Sequence, residues 1–255
     1  MGAQAAAALA TGRLGTPIPF EVAHRERLRG PDGYDLRGVA LSHGGAGLAP
    51  WSYDGTALGT VLADGSRGRV LPDLTVELSR RGSVGELRRA LDLDADLTDL
   101  WAAAPQHRGR GWQLRARTPF EALVQALAAT NTSYRSTQQM MDELTVDGRL
   151  ASPEEAVAMP LTSWGYRLPA LRALCEVVDG TDWDALPDDE LHREVLGLKG
   201  FGAFAAASVL PLLGRPRPLV LDGWLADQVE DARAYEQYGR WAGTVLWLDV
   251  SSRWL

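Results

Sequence analysis

The sequence predicts an α+β fold that is mostly α-helical and carries an N-terminal antiparallel β-sheet. Short segments of partial apolar alternation, separated by Gly, Asp and Pro, run from about residue 34 to 79, which is typical of strands and turns. From residue 118 onward, apolar residues recur at helical spacing in segments that end near a glycine. The 255 residues suffice for two modest domains, which we place at 1–82 (β-rich) and 83–255 (helical).

Composition excludes several classes of protein. The chain is 45% hydrophobic and 23% charged, as in ordinary globular proteins, and no apolar run approaches the roughly 20 residues of a membrane span. The Ala-rich N-terminus lacks the basic segment of a signal peptide. A single cysteine, Cys175, excludes an intramolecular disulfide and four-thiolate clusters, and the four histidines lack metal-ligand spacing. We expect a cytoplasmic monomer without zinc, iron–sulfur cluster or other required cofactor.

Charge is distributed unevenly along the chain. Residues 1–117 hold 15 Arg against 13 acidic residues, whereas residues 118–255 hold 10 Arg and one Lys against 20 acidic residues. The helical half is therefore acidic, which argues against non-specific binding to nucleic acid, because neutralisation of phosphates supplies most of that affinity. A nucleic-acid partner requires a locally positive surface, for which Arg135, Arg167, Arg215, Arg217 and the 108–117 segment are candidates.

Four segments of the N-terminal region predict strands: "YDLRGVALSH", "LAPWSYDG", "ALGTVLADG" and "LPDLTVELSR". In the last, Leu74, Val76 and Leu78 fall on one face. "SVGELRRALDLD" then predicts a helix with a capping box formed by Ser83 and Glu86, and "ADLTDLWAAAP" a second helix.

The basic segment "HRGRGWQLRAR", residues 107–117, has two interpretations. It could contact a phosphate or a base. We favour a solvated connector, because no motif supports the first interpretation.

Helices dominate from residue 118 onward. "TPFEALVQALAATN" has Thr118 as N-cap and Pro119 in the first turn. "YRSTQQMMDELTVDG", "LPALRALCEVVDG" and "YGRWAGTVLWLDVSSRWL" predict further helices, and "LPDDELHREVLG" predicts one that ends at Gly197.

The stretch "LKGFG" lies between two predicted helices, in a hairpin near residues 188–213. Gly200 and Gly202 leave their N–H groups and the start of the second helix free to face an anion, and Lys199 adds a charge. An ordinary glycine-rich turn is the alternative. Asp222 follows in "LVLDGW", either as an N-cap or as a carboxylate held beside the hairpin.

The order of "LKGFG", the small-residue helix "AFAAAS" and Asp222 resembles the helix-hairpin-helix (HhH-GPD) DNA glycosylases of base excision repair, of the 8-oxoguanine and 3-methyladenine type. The likeness covers about residues 118–255, with a looser one in the β-rich part. It implies that a damaged nucleotide of double-stranded DNA rotates out of the duplex, and that Asp222 is the catalytic carboxylate that stabilises positive charge on the sugar. Bifunctional members have a nucleophilic lysine where this chain has Phe204, so the resemblance implies a monofunctional hydrolase without lyase activity.

The resemblance also assigns the other candidate site residues. Lys199, Gly200 and Gly202 would bind DNA. Asn131, in a loop that enters the duplex, and Arg135 would join them, although a left-handed helix C-terminus explains Asn131 equally well. Phe204, Trp224 and Tyr134 would line the base pocket.

No metal site is expected, and the sequence leaves open whether a monovalent cation binds at the hairpin. The alternative function is that of a descendant that retains the fold as a binding module or as a hydrolase of a small nucleoside-like substrate.

Overall fold

A computed structural model describes residues 14–15, 17–42, 45–82, 84–221 and 223–253. It confirms the predicted α+β class: these residues form a five-stranded antiparallel sheet, a two-stranded hairpin and eleven α-helices. Strands precede most of the helices along the chain, so the sheet and the helical bundle occupy different parts of the sequence.

The five strands pair in the order β1-β5-β4-β3-β2, and each adjacent pair is antiparallel. Their bounds are β1 His24–Arg27, β2 Ser52–Tyr53, β3 Leu58–Val61, β4 Arg67–Val70 and β5 Thr75–Leu78. The segments around β2, β3 and β5 were predicted as strands, and these predictions are confirmed. Val76 and Leu78 are fully buried and Leu74 is nearly so, as their alternation predicts. Strand β1 has the polar sequence HRER, without an apolar alternation that could reveal it.

The prediction of a strand in "YDLRGVALSH" was wrong, because this segment contains helix α1, Leu36–Ala40. The Asp35 carboxylate accepts a hydrogen bond from the backbone N–H of Arg37 and caps the helix. Leu36, Val39 and Ala40, at helical spacing, are the buried residues. A tight capped turn therefore explains the apolar pattern better than an extended strand.

Two short helices follow the sheet, α2 Gly85–Ala90 and α3 Thr98–Ala103, in agreement with the prediction. Ser83, the predicted N-cap, lies outside the described residues. The Glu86 carboxylate accepts a hydrogen bond of 3.1 Å from the backbone N–H of Ala63, so it ties α2 to the end of β3.

Except for α6, which was not predicted, the remaining helices match the predicted segments of the second half. Their bounds are α4 Pro119–Ala128, α5 Tyr134–Glu143, α6 Pro153–Ala158, α7 Leu168–Val177, α8 Asp188–Gly197, α9 Ala203–Leu212, α10 Gly223–Ala226 and α11 Ala242–Ser251. Thr118 caps α4 as predicted, since its hydroxyl accepts the N–H of Glu121. A two-stranded hairpin, β6 Thr145–Val146 and β7 Arg149–Leu150, follows α5 and was not predicted. Pro211 lies inside α9, which continues for one residue beyond it.

Two main apolar cores hold the fold together. One is formed by helices α4 to α9, with Leu123, Trp164 and Val209 fully buried. The other lies under the five-stranded sheet, and Val245 and Leu248 of the C-terminal helix α11 belong to it. The domain boundary between residues 82 and 83 stays a prediction.

The 107–117 segment is not the solvated connector that its charge suggested. Trp112 is 5% exposed and packs between Tyr34 and Trp101, with both ring-centroid distances at 5.5 Å. Arg115 forms an ion pair of 3.0 Å with Asp92 and donates to the carbonyl of Leu213. Leu114 belongs to the core under the sheet and Ala116 to the helical core, so the segment links the two cores. Arg108 at its start is exposed.

Along the described chain, no helix is both long enough and apolar enough to cross a membrane.

Candidate base pocket and hairpin

Helix α8 ends at Gly197 and α9 begins at Ala203, so the predicted hairpin is present. Gly200 has φ +86°, and a Cβ atom there would lie 2.8 Å from the Cβ of Ala170. Both the left-handed backbone and the close approach to α7 require glycine. At Gly202 a Cβ atom would meet nothing within 4 Å, so the space in front of this residue is open.

The turn also leaves polar groups accessible. The N–H of Phe201 bonds the carbonyl of Leu198, but among the described residues no protein acceptor bonds the N–H groups of Gly200 or Gly202. Gly202 is the N-cap of α9 and has no side chain to cap the helix. Lys199 is exposed and forms no ion pair with any residue that the structure describes. Free N–H groups at a helix N-terminus beside an ammonium group can bind an anion.

A pocket of about 530 Å³ opens beside the first turn of α9. Of the predicted site residues, Asn131, Tyr134, Phe204 and Trp224 line it together. Its other lining residues are Leu48, Gln125, Ala126, Ala129, Thr132, Thr137, Ser208, Leu212, Arg217, Gly223, Leu225 and Trp247. The volume is typical of small-molecule sites, so the aromatic residues singled out from sequence meet in a cavity that can hold a base.

Trp247 is the main pocket residue that the sequence reasoning missed. It lies on α11, its ring centroid is 6.3 Å from that of Trp224 at an angle of 58°, and Arg217 lies 5.1 Å over its ring. Its indole N–H donates to the carbonyl of Ser42. Helix α11 packs closely against the chain at Pro218, since a Cβ atom on Gly243 would lie 2.2 Å from the Pro218 carbonyl oxygen. This close packing brings Trp247 to the pocket. With nine tryptophans in the chain, no local signal distinguishes it.

Asp222 lies outside the described residues, so its catalytic role stays a prediction. The next residue, Gly223, begins α10 and lines the pocket. In the sequence, Asp222 directly precedes this pocket residue.

Asn131 and Arg135 differ in where they lie. Asn131 is exposed in the turn after α4 and has φ +41°, which is the left-handed conformation expected near a helix C-terminus. It also lines the pocket. Arg135 is exposed on α5 but lines a different cleft, of about 810 Å³, between α5 and the sheet. The structure therefore does not bring Arg135 together with the other predicted DNA-binding residues.

A second missed residue, Tyr166, lies in the short 3₁₀ helix Gly165–Arg167. At 71% exposure it is the most exposed large apolar side chain among the described residues. The Arg167 guanidinium lies 4.3 Å from its ring centroid and donates to the hydroxyl and the carbonyl of Thr130. An exposed aromatic ring is thus fixed beside the loop that carries Asn131. The predicted helix in this region starts after Tyr166, at "LPALRALCEVVDG", and nothing in the sequence assigned this tyrosine a role.

In the described ranges, no three His, Cys, Asp or Glu side chains are grouped so that they could hold a metal ion. Cys175 is half-buried on α7, and burial raises the pKa of its thiol to about 11. The cysteine is therefore a poor candidate for a nucleophile or a metal ligand.

No protein-family profile matches this sequence, and no curated protein matches it. Solved structures do match its fold. The 8-oxoguanine glycosylase/lyase of Clostridium acetobutylicum without DNA has a TM-score of 0.65 and 12% identity, over 92% of this chain and all of that one (100%). The protein MBOgg1 in complex with a low-affinity DNA ligand has a TM-score of 0.65 and 17% identity, over 92% of this chain and 99% of that one. The 3-methyladenine DNA glycosylase of Archaeoglobus fulgidus has a TM-score of 0.56 and 15% identity, over 75% of this chain and 84% of that one.

The matches cover both the sheet and the helical half of the chain, as the motif resemblance implied. At these identities they establish the architecture. The chain therefore has the fold of the 8-oxoguanine and 3-methyladenine DNA glycosylases, with a helix-hairpin-helix and an N-terminal antiparallel sheet.

Proposed function

We propose that this protein is a monofunctional DNA glycosylase that hydrolyses the bond between a damaged base and its sugar and leaves an abasic site. The observation that carries the proposal is the 530 Å³ pocket lined by Tyr134, Phe204, Trp224 and Trp247. Phe204, which lines this pocket, lies in the first turn of α9, two residues after Gly202. The N-terminus of this helix is open to an anion. The arrangement can hold a phosphate at the hairpin and an extruded base between aromatic rings.

The reaction requires a group that stabilises the charge of its transition state. Cleavage of an N-glycosidic bond creates positive charge on the sugar, and a nearby carboxylate stabilises that charge and orients the attacking water. Asp222, next to the pocket residue Gly223, is proposed for this role. Aromatic faces replace the stacking that a base loses when it leaves the duplex.

Phe204 supports hydrolysis without lyase chemistry. A lyase step needs an amine that attacks C1′ of the sugar, and phenylalanine has none. Lys199, which is the single lysine of the chain, lies at the exposed turn, four residues before Ala203, the first residue of α9. We assign it to the phosphate contact instead.

Double-stranded DNA is the proposed partner. The C. acetobutylicum enzyme is also known in complex with double-stranded DNA containing cytosine opposite 8-oxoguanine, and that structure matches 77% of this chain at 14% identity. In this protein Arg215, a candidate for the positive surface, is already bound internally: it lies 3.7 Å from Asp188 and donates to the carbonyl of Asp184. We therefore expect backbone N–H groups and a few charges to bind the phosphates, and a shallow dependence of affinity on salt. The monomeric state, the cytoplasmic location and a cation at the hairpin remain predictions.

The experiment is release of free base from a panel of duplexes that carry oxidised or alkylated bases, measured for the wild type and for Asp222→Asn. The exposed Asp227→Asn on the same segment is the control. We expect Asp222→Asn to abolish release and retain DNA binding, and Asp227→Asn to behave as the wild type. Release by Asp222→Asn at the wild-type rate would contradict the mechanism. If the wild type binds the duplexes but releases no base, the protein is a binding module. If it hydrolyses free nucleosides and no duplex, it is a nucleosidase.

A further inference from the structure

A second cavity, of about 240 Å³, shares Trp247 with the base pocket and is otherwise lined by different residues. Helix α1, the 109–113 stretch and helix α11 enclose it, and they contribute Val39, Trp112 and Leu248 to its lining. The hydrolysis proposed above uses none of these three side chains, so the cavity needs an explanation of its own.

Three polar side chains of this lining each have a buried atom without a hydrogen-bond partner. They are Nη2 of Arg110, Nε1 of Trp112 and Oε1 of Gln113, and no group of the described chain bonds any of them. Trp112 and Gln113 are only 5% and 7% exposed. Arg115 and Arg117 of the same segment are paired with carboxylates, but Arg110 has no ion partner among the described residues. Because an unpaired buried polar group costs free energy, an occupant of the cavity that bonds these atoms is stabilising.

The charges of the lining indicate the kind of ligand. Arg110 and Trp112 can only donate hydrogen bonds, so they match a carboxylate, which only accepts and neutralises the guanidinium. Asp35 is an acceptor in the same lining. Its Oδ1 accepts from the N–H of Arg37 at 3.0 Å, whereas its Oδ2 has no donor within the part of the chain that the structure describes. Together with Oε1 of Gln113, the Asp35 carboxylate matches an ammonium group, which only donates.

The rest of the cavity is largely apolar and small. Val39 and Leu248 are buried in its wall, and Trp112 and Trp247 add aromatic side chains. These surfaces favour an apolar side chain on the ligand. At 240 Å³ the cavity is smaller than the roughly 300–1,000 Å³ of sites for drug-sized ligands, so it admits one small molecule.

We propose that this cavity is a second binding site, whose ligand is a free α-amino acid with an apolar side chain. The carboxylate of the ligand bonds Arg110 and Trp112. Its ammonium group bonds Asp35 and Gln113. The inference goes beyond the glycosylase function and does not depend on it, because only Trp247 borders both cavities.

L-Leucine and its two fragments test the proposal, since 4-methylpentanoate lacks the ammonium group and 3-methylbutylamine lacks the carboxylate. Isothermal titration calorimetry of the wild type should show leucine binding roughly 10-fold or more tightly than either fragment, because each fragment loses one charge-assisted contact. Arg110→Met should weaken leucine binding by about the same factor or more. Arg108→Met, at an exposed residue of the same segment outside the lining, is the control and should bind leucine as the wild type does.

A second variant tests the ammonium contact and keeps the fold. Asp35→Asn removes the negative charge but retains a good N-cap residue for α1. It should weaken the binding of leucine and not that of 4-methylpentanoate, so that the two affinities become similar, and urea unfolding should confirm that it is folded. The proposal is overturned if the wild type does not bind leucine, if it binds leucine and 4-methylpentanoate equally, or if Asp35→Asn and a folded Arg110→Met bind leucine as the wild type does. Any of these results would mean that water alone bonds the buried groups.

Discussion

The indole Nε1 of Trp51, next to strand β2, donates a 2.9 Å hydrogen bond to Oε1 of Glu121 on helix α4. Both side chains are buried, Trp51 at 3% exposure and Glu121 fully. Arg117 completes the contact, since its guanidinium pairs with Glu121 at 3.0 Å and lies 5.3 Å over the Trp51 ring. This cluster joins the sheet to the helical half, and through Gln125 it reaches the pocket.

Removing the carboxylate from this cluster should destabilise the whole protein. Glu121→Ala removes the nearer carboxylate from the buried Arg117, whose other ion partner is Glu86 at 3.5 Å, and it leaves the indole N–H of Trp51 without its acceptor. Together these losses should cost about 2–4 kcal/mol. Urea unfolding should show that loss, and the exposed Glu236→Ala should show almost none. A loss below about 1 kcal/mol for Glu121→Ala would mean that water replaces the carboxylate.

The two hairpin glycines should separate stability from binding. Gly200→Ala forces a Cβ atom into a left-handed residue and against Ala170, so we expect a loss of about 1–2 kcal/mol in unfolding free energy. At Gly202 the φ angle is −105° and the space in front of the residue is open, so Gly202→Ala should lose less stability than Gly200→Ala, about 0.5 kcal/mol, because alanine is a poorer N-cap than glycine. It should nevertheless weaken DNA binding, because the added methyl group blocks the approach of a phosphate to the N–H groups. Unaltered DNA affinity in Gly202→Ala would show that DNA does not approach the turn.

Tyr166 should contribute to DNA binding and not to folding. Its ring is 71% exposed, so Tyr166→Ala should change the unfolding free energy by less than about 0.5 kcal/mol. If the ring stacks on a base, the variant should bind duplex DNA roughly 10-fold more weakly, because base–aromatic stacking contributes about 1–3 kcal/mol. Val157→Ala, at a residue 49% exposed, is the control and should bind as the wild type does. Equal affinity of both variants would exclude Tyr166 from the interface.

Glu155 should make stability depend on pH in the acid range. Its carboxylate bonds Arg149 at 2.5 and 2.7 Å and caps α6, and these bonds lower its pKa to about 2 from an ordinary value of 4.5. A carboxyl group with a lowered folded pKa stabilises the protein above pH 4.5, and this contribution is lost as the pH falls toward 2. Solvent screening of this partly exposed pair limits the contribution to about 1 kcal/mol. Urea unfolding between pH 6 and 2.5 should therefore show a smaller decline for Glu155→Gln than for the wild type, and equal declines would contradict the pairing.

Sequence patterns predicted the elements that local chemistry determines. Thr118 as N-cap, the end of α8 at Gly197 and the strands around β3 and β5 follow from capping, glycine conformation and apolar alternation. The predictions failed where one sequence pattern is compatible with two local structures. The spacing of Leu36 and Val39 suits a capped turn as well as a strand, and tertiary contact decides between them.

The pocket shows the same division. Phe204, Trp224 and Tyr134 could be selected because they lie near a recognisable hairpin or loop motif. Trp247 and Gln125 could not, because they come from α11 and from the middle of α4, and only packing brings them to the cavity. The arginines of the 107–117 segment misled for a related reason. Charge suggested solvent exposure, which holds for Arg108, but carboxylates and a carbonyl within the protein bind Arg115 and Arg117.

The most direct test of the central claim is the product formed from a lesion-containing duplex with a labelled strand, before and after treatment with alkali. Release of the free base, with strand scission after alkali and none before it, is the result that we predict, together with no trapping of the protein on DNA by borohydride. Scission without alkali, or a borohydride-trapped complex, would show that an amine of this protein attacks the sugar and would contradict the assignment of water as the nucleophile.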